Sequence, residues 1–303
     1  MTTTRATTLL TGGLSVTEAP RWHDGALWFS DFFTRRVLRL EPDGELTLVA
    51  EVPGRPSGLG FMPDGSPRVV SMDDCALYGI VDGGLELVAR FDHLVTGPAN
   101  DMAIDSRGTC YIGNFGVDPS DPDVALPTSL IRVTPDGRVD AVADDLVFPN
   151  GIVIDERRRM LVVVETYRCR LTAFTISGDE LVDRRVWAEF APDPGAYNIP
   201  EVTPILPQVP DGLVLDSSGA VWLADAKGHG ARRVLAGGEV TDFVDTGDLA
   251  AYSVTLGGPD GQDLYLTCAP PVETADPLTT RRGAIMHARV EIPAVTPHPS
   301  RGS

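Results

Sequence analysis

No apolar run in this sequence is long enough to cross a membrane, and the N-terminal stretch MTTTRATTLLTGGLSVTEAP lacks the continuous apolar core of a secretory leader. Positive charge is scarce: 25 Lys and Arg stand against 43 Asp and Glu, for a formal net charge of −18. Such a chain is repelled by phosphate backbones and anionic headgroups, so neither nucleic acid nor a membrane is an expected partner. Only four cysteines occur, Cys75, Cys110, Cys169 and Cys268, with no C-x-x-C spacing. Cys75, Cys110 and Cys268 fall in or beside expected strands, which points to buried thiols rather than disulfides. A cytoplasmic address is the expectation. Gly-x-Ser-x-Gly is absent, and no Ser/His/Asp order announces a nucleophilic triad.

What the chain does contain is repetition. VPDGLVLDSSGAVWLAD, from Val209 to Asp225, reads as a strand, a tight turn and a second strand. Five other stretches repeat it, starting near Glu18, Ser57, Asn100, Asn150 and Ser253. The starts are about 40 to 60 residues apart, the size of a propeller blade of four strands. Between them lie outer hairpins with Asp-Gly, Ser-Gly and Gly-Gly turns, at Leu38–Ala50, Leu77–Ala89, Leu130–Ala143, Leu171–Trp187 and Arg232–Val244. The sixth hairpin lacks its second strand, and Ala6–Thr11 can supply it beside Ala284–Ile292. The expected fold is therefore all-β: one six-bladed β-propeller over residues 1–303, four antiparallel strands per blade, closed by the N-terminal strand. The ends, about 1–5 and 294–303, are expected to be loose. A monomer or a weak homo-oligomer is expected.

The first position of each repeat is occupied by Glu18, Ser57, Asn100, Asn150, Asp211 and Ser253. Two carboxylates, two carboxamides and two hydroxyls stand where a core would want apolar side chains. Strands often begin with Asp or Asn because turns favour them, yet a propeller brings these six positions to one axis. Glu18, Asn150 and Asp211 are then candidate ligands of a divalent cation, and Asn100 is a fourth ligand or a contact to substrate or water. With oxygen donors alone, Ca²⁺ is favoured, then Mg²⁺ or Mn²⁺, with Zn²⁺ less natural. Long segments at Val117–Pro127, Glu189–Val209 and Ala269–Arg282 fall on the rim of this ring and suggest a walled pocket. Second-strand ends supply a second ring, Asp31, Asp73, Asn114, Glu165, Asp225 and Cys268. Being at the same rim, that ring can line the pocket wall, Asn114 and Glu165 foremost, with Phe115, Tyr167 and Met72 as its apolar part; strand-end solvation is the plainer reading of any single member. His229 is a weak proton-shuttle candidate, and His23 is expected on the opposite rim.

Glu18-Ala-Pro-Arg-Trp22, Asn100-Asp101, Pro149-Asn150-Gly151 and Pro210-Asp211-Gly212, in that order and spacing, resemble the senescence-marker-protein/gluconolactonase (regucalcin-like) family of six-bladed propellers. The resemblance implies one axial metal held by Glu18, Asn150 and Asp211, and hydrolysis of a lactone. Sugar lactonases of that family usually carry Arg two residues before the third-repeat Asn; here that residue is Pro98, which favours a less polar lactone or ester. Asp211 is the expected general base, with Glu165 in reserve, and Asn100 is its catalytic companion. The rivals are a paraoxonase-like esterase or biosynthetic tailoring enzyme on a non-sugar substrate, and a non-catalytic cation-binding propeller.

Overall fold

A computed structural model of the chain describes residues 2–271 and 276–295. Six blades of four antiparallel strands form a six-bladed β-propeller, one of them, blade 5, carrying a fifth strand on its outer edge. Blade 1 runs outward as Thr17–His23, Ala26–Asp31, Arg36–Leu40 and Leu46–Glu51. The inner strands of the others are Pro56–Phe61, Ala99–Ile104, Pro149–Asp155, Pro210–Leu215 and Ala250–Gly257. Each inner strand touches the next, and the last touches the first, so the ring is closed. Among the described residues no helix is long and apolar enough to cross a membrane.

The core is six wedges, one between each pair of neighbouring blades. Side chains alternate across a strand, so each second strand feeds two wedges. Leu161 and Val163 face blade 3, while Val162 and Val164 face blade 5. Val221 and Leu223 turn back to that blade-4 wedge, and Trp222 and Ala224 turn to blade 6. Strands buried on both faces need near-continuous apolar sequence, and Met160–Glu165 is MLVVVE, fully buried. Truncating Leu161 to Ala would cost about 2–5 kcal/mol.

Closure follows the expected route. Thr8–Leu14 pairs antiparallel with Gly283–Arg289, Thr8 opposite His287 and Leu14 opposite Gly283. Ala6 is not part of that strand. It ends a separate strand, Thr3–Ala6, which lies parallel to Val240–Asp245 on the outer edge of blade 5. Arg5 fixes it there, 2.6 Å from Asp242 and 3.0 Å from Glu291. Residues 3–5, expected to be loose, are thus paired, and Ala294 is bridged to Asp216. The rest of the expected loose end, 296–303, lies outside the described residues, as does 272–275 of the third long segment. All four cysteines are buried and free, and burial pushes the Cys110 thiol up to about 12.

The long segments carry small elements of their own. The first is a hairpin of Val117–Asp118 and Asp121–Ala125. The second contains a short helix, Ile199–Ile205, with Asn198 as its N-cap. The two meet where Ala125 N–H donates to Tyr197 O at 2.9 Å. The third contains a single helical turn, Pro277–Thr280.

Candidate functional site

All six inner strands break register where the aligned polar residue stands: between Glu18 and Arg21, Pro56 and Leu59, Ala99 and Met102, Pro149 and Ile152, Pro210 and Leu213, and Ala251 and Ser253. A β-bulge re-aims a side chain out of the ladder, and here it recurs in every blade. The bulges let the inner strands crowd together near the axis. A Cβ on Gly151 would sit 2.7 Å from Asp211 O, and one on Gly212 would overlap Ser253. Where those blades have glycine, blade 3 has Asp101 and blade 1 has Ala19, which takes φ 46°.

Glu18, Asn100, Asn150 and Asp211 form the floor of a cavity of about 450 Å³, while Ser57 and Ser253 do not line it. Burial raises the Glu18 carboxyl well above its ordinary range, and the charges of Asp211 and Asp101 raise it further. Burial likewise raises Asp211, helped by Asp101 and opposed by a hydrogen bond from Asn150. The only hydrogen bond to the Glu18 carboxylate found among the described residues is a long one, 3.3 Å from Ala19 N. Asp101 lies beside this pair and is better compensated, with Arg21 at 3.1 Å. Asn100 Oδ1 accepts from Ser57 Oγ at 3.3 Å, and its amide nitrogen is buried and has no partner among the described residues. The arrangement leaves two buried carboxylates that repel one another and, among the described residues, an amide nitrogen without a partner. Among the described residues no three His, Cys, Asp or Glu side chains gather as a metal cluster. The floor's two carboxylates and two carboxamides nonetheless suit a hard dication, which would relieve the repulsion that burial makes costly.

Above the floor the wall is aromatic. Phe115 and Phe148 ring centroids are 4.4 Å apart, and Tyr167 meets Phe148 edge-on at 5.0 Å. Phe32, Phe33 and Tyr252 form a second cluster of the lining, and Ile199 of the short helix joins the first, packed with Phe115, Phe148 and Tyr167. Phe115 and Tyr167 were expected here; Phe32, Phe33, Phe148, Tyr252 and Ile199 were not. Their signal is positional. Phe32, Phe115 and Thr166-Tyr167 directly follow a second-strand end, and Phe148 stands two residues before Asn150, as Val209 does before Asp211 and Val16 before Glu18.

Residues 16–270 match the family model described as the SMP-30/gluconolactonase/LRE-like region. The chain belongs to that family. It is 29% identical over 262 residues to the pentonolactonase of Haloferax volcanii, covering 83% of this chain and 81% of that protein. To the 6-deoxy-6-sulfogluconolactonase of Pseudomonas putida it is 25% identical over 286 residues, 91% of each. Among solved structures, the calcium-binding protein regucalcin from Agrobacterium tumefaciens matches with a TM-score of 0.77 over 97% of both chains, at 19% identity.

In this SMP-30/gluconolactonase chain the second ring is a set of clips. Asp31 accepts from Ser15 N at 3.0 Å, Glu165 from Val147 N at 3.1 Å and Asp225 from Val209 N at 2.9 Å. Each also meets an arginine, Arg36, Arg170 or Arg232, at 3.2, 2.8 and 2.7 Å. Asn114 is taken up by Ser129 O and Thr128 Oγ1. Asn114, Glu165 and Met72 are fully buried and lie outside the cavity lining, because their polar groups face the strand starts or, for Met72, because the side chain is enclosed. The register corrects one alignment. Pro56 pairs with Ser71, so Ser71, not Asp73, holds the ring position in blade 2, while in blade 6 Cys268 pairs with Ala251. Asp73 lies beyond its strand, gripped by Arg55 at 2.7 Å. His229 is exposed and does not line the cavity, so nothing places it as a shuttle. His23 stacks on Phe61 at 3.7 Å, away from the floor.

Proposed function

We propose that the protein is a divalent-cation-dependent hydrolase of a lactone. The observation that carries this reading is the buried pair Glu18 and Asp211, joined with Asn150 on the floor of a cavity a small molecule can enter. Buried carboxylates with perturbed titration and few partners mark functional sites. Two relatives are named as lactonases and a structural neighbour as a calcium-binding protein, which agrees with it. Glu18, Asn150 and Asp211 would hold the cation, Ca²⁺ in the first instance. Bound there, it would supply Lewis acidity toward a carbonyl oxygen and charge opposite a developing oxyanion.

The chain's own groups do the rest. Asn100 offers its amide hydrogens to a substrate oxygen, because Ser57 occupies its carbonyl side. That makes Asn100 a substrate contact rather than a fourth ligand. Asp211 receives the proton of the attacking water, since it alone combines a raised carboxyl, a place on the floor and a hydrogen bond to Asn150. The aromatic wall keeps bulk water from the reacting ester. The reading is tested by hydrolysis of sugar lactones, aliphatic and aryl lactones and aryl esters, with chelator and with Ca²⁺, Mg²⁺, Mn²⁺ and Zn²⁺ restored singly. Cation-restored lactone hydrolysis is expected. Preference for open-chain aryl esters would move the protein to an esterase, and no turnover with any cation would leave a binding propeller.

A further inference from the structure

Most of the polar groups along the cavity wall are already engaged by the protein. Lys227 Nζ, which has three hydrogens to give, donates to Thr203 O at 3.0 Å and to Pro204 O and Leu206 O at 2.8 Å each. Arg55 turns its Nε and one Nη to Asp73. Thr203 Oγ1 donates to Ile199 O at 2.7 Å, Thr166 Oγ1 to Pro210 O at 3.0 Å and the Tyr252 hydroxyl to Pro270 O at 3.2 Å. What remains for a ligand above the floor is mostly ring face and aliphatic carbon, with the second Nη of Arg55 as the exception. A polyhydroxylated ring entering here would shed water from its hydroxyls and find few donors in exchange, and uncompensated polar burial is what apolar pockets penalise. The same surface gains from an apolar group, and about 450 Å³ is within the size range of small-molecule sites.

We propose that the substrate is a lactone whose ring carries a bulky apolar substituent, aryl or branched alkyl, and that sugar lactones are poor substrates. The proposal rests on the hydrolase reading and goes beyond it, since both lactonase relatives carry sugar-acid names. With the lactone carbonyl toward Asn100 on the floor, the substituent meets the cluster of Phe115, Phe148 and Ile199 and that of Phe33 and Tyr252. The segment carrying Ile199 is pinned at both ends. Lys227 holds the carbonyls at the end of its helix, and Arg168 holds the start through Tyr197 Oη at 3.1 Å and Asp193 at 3.2 Å. That fixed segment makes the wall a preformed slot, so selectivity comes from shape and dryness.

The experiment holds the reacting ring constant and varies the substituent. The Ca²⁺-loaded enzyme is offered an aldono-γ-lactone, γ-butyrolactone and γ-phenyl-γ-butyrolactone, and calorimetry follows binding of the matching phenyl-substituted lactam, which is not hydrolysed. The phenyl lactone is expected to exceed the aldonolactone in kcat/KM by about 100-fold or more. Phe115→Ala and Ile199→Ala, each checked by its melting midpoint, are expected to raise KM for the phenyl lactone about tenfold and to weaken lactam binding alike, with little change in kcat. An aldonolactone turned over as well as the phenyl lactone overturns the inference while leaving the hydrolase reading intact. Lactam affinity unchanged in both variants overturns it as well. Lactam binding that both variants weaken, with no lactone turned over, supports the apolar slot and removes the hydrolase reading.

Discussion

Glu18 and Glu165 are both buried glutamates near the same rim, yet their surroundings have opposite signs. Glu165 is complete: it takes the N–H of Val147, Arg168 at 2.9 Å, Arg170 at 2.8 Å and Thr172. Burial pushes its carboxyl up, but the bonds from Thr172 and Arg170 and the charges of Arg170 and Arg168 outweigh it and leave it below the ordinary range. Glu18 has one long hydrogen bond and two carboxylates for neighbours, and it is raised. A satisfied buried charge is a fastener. An unsatisfied one costs stability, and its presence beside a cavity calls for a ligand that completes it.

The largest effect expected from this contrast is catalytic. At saturating cation, Asp211→Asn should remain slow by about 10²–10⁴-fold, as loss of a general base requires. Glu18→Gln, a ligand change alone, should weaken cation affinity and then recover most of its rate when loaded. Rates measured beside calorimetric occupancy separate the two, and equal recovery would remove Asp211 from the base role.

Stability should move in opposite directions for the two sites. Glu165→Gln leaves Arg168 and Arg170 without their shared partner and should cost about 3–5 kcal/mol in urea unfolding. Asp211→Asn in chelator should instead unfold at higher urea than the wild type, because a repelled buried charge is gone. Added Ca²⁺ should then stabilise the wild type, by about 2.7 kcal/mol at a hundred times Kd, and the variant less.

The smallest effect is on pH. A carboxyl raised in the folded state holds its proton after the unfolded chain has lost it. The cation-free protein therefore loses stability as pH climbs from the ordinary values of 3.8 for Asp211 and 4.5 for Glu18 through the raised ones. Glu165 runs the other way: its contribution is present above 4.5 and is lost as pH falls through its lowered value. In chelator, the advantage of Asp211→Asn over wild type should thus be larger at pH 8 than at pH 5, and the deficit of Glu165→Gln should shrink in acid.

The blade repeat, the ring closure and the axial ring were legible because they depend on local pattern: alternation, turn residues, and one polar residue recurring at one offset. The second ring misled because its role is set by partners far along the chain. Glu165 closes on Val147 and Asp225 on Val209 across a strand pairing that no local pattern displays. The bend after a second-strand end also matters: the end residue turns back to the strand start, and the following one or two, such as Phe32 or Tyr167, reach the cavity. Asp73 drew the alignment past Ser71 because two aspartates occupy that turn. The bond from Ser57 to Asn100, which takes up the carbonyl side of that amide, joins neighbouring blades and had no signal in the sequence.

The central claim is that the propeller axis is completed by one divalent cation. Calorimetric titration of Ca²⁺ into chelator-treated wild type, Glu18→Gln and Asp211→Asn tests it most directly. The account predicts one cation per chain in the wild type and a clearly weaker affinity in both variants. Equal affinity in all three would show that the axial carboxylates do not hold a cation, and would contradict the account.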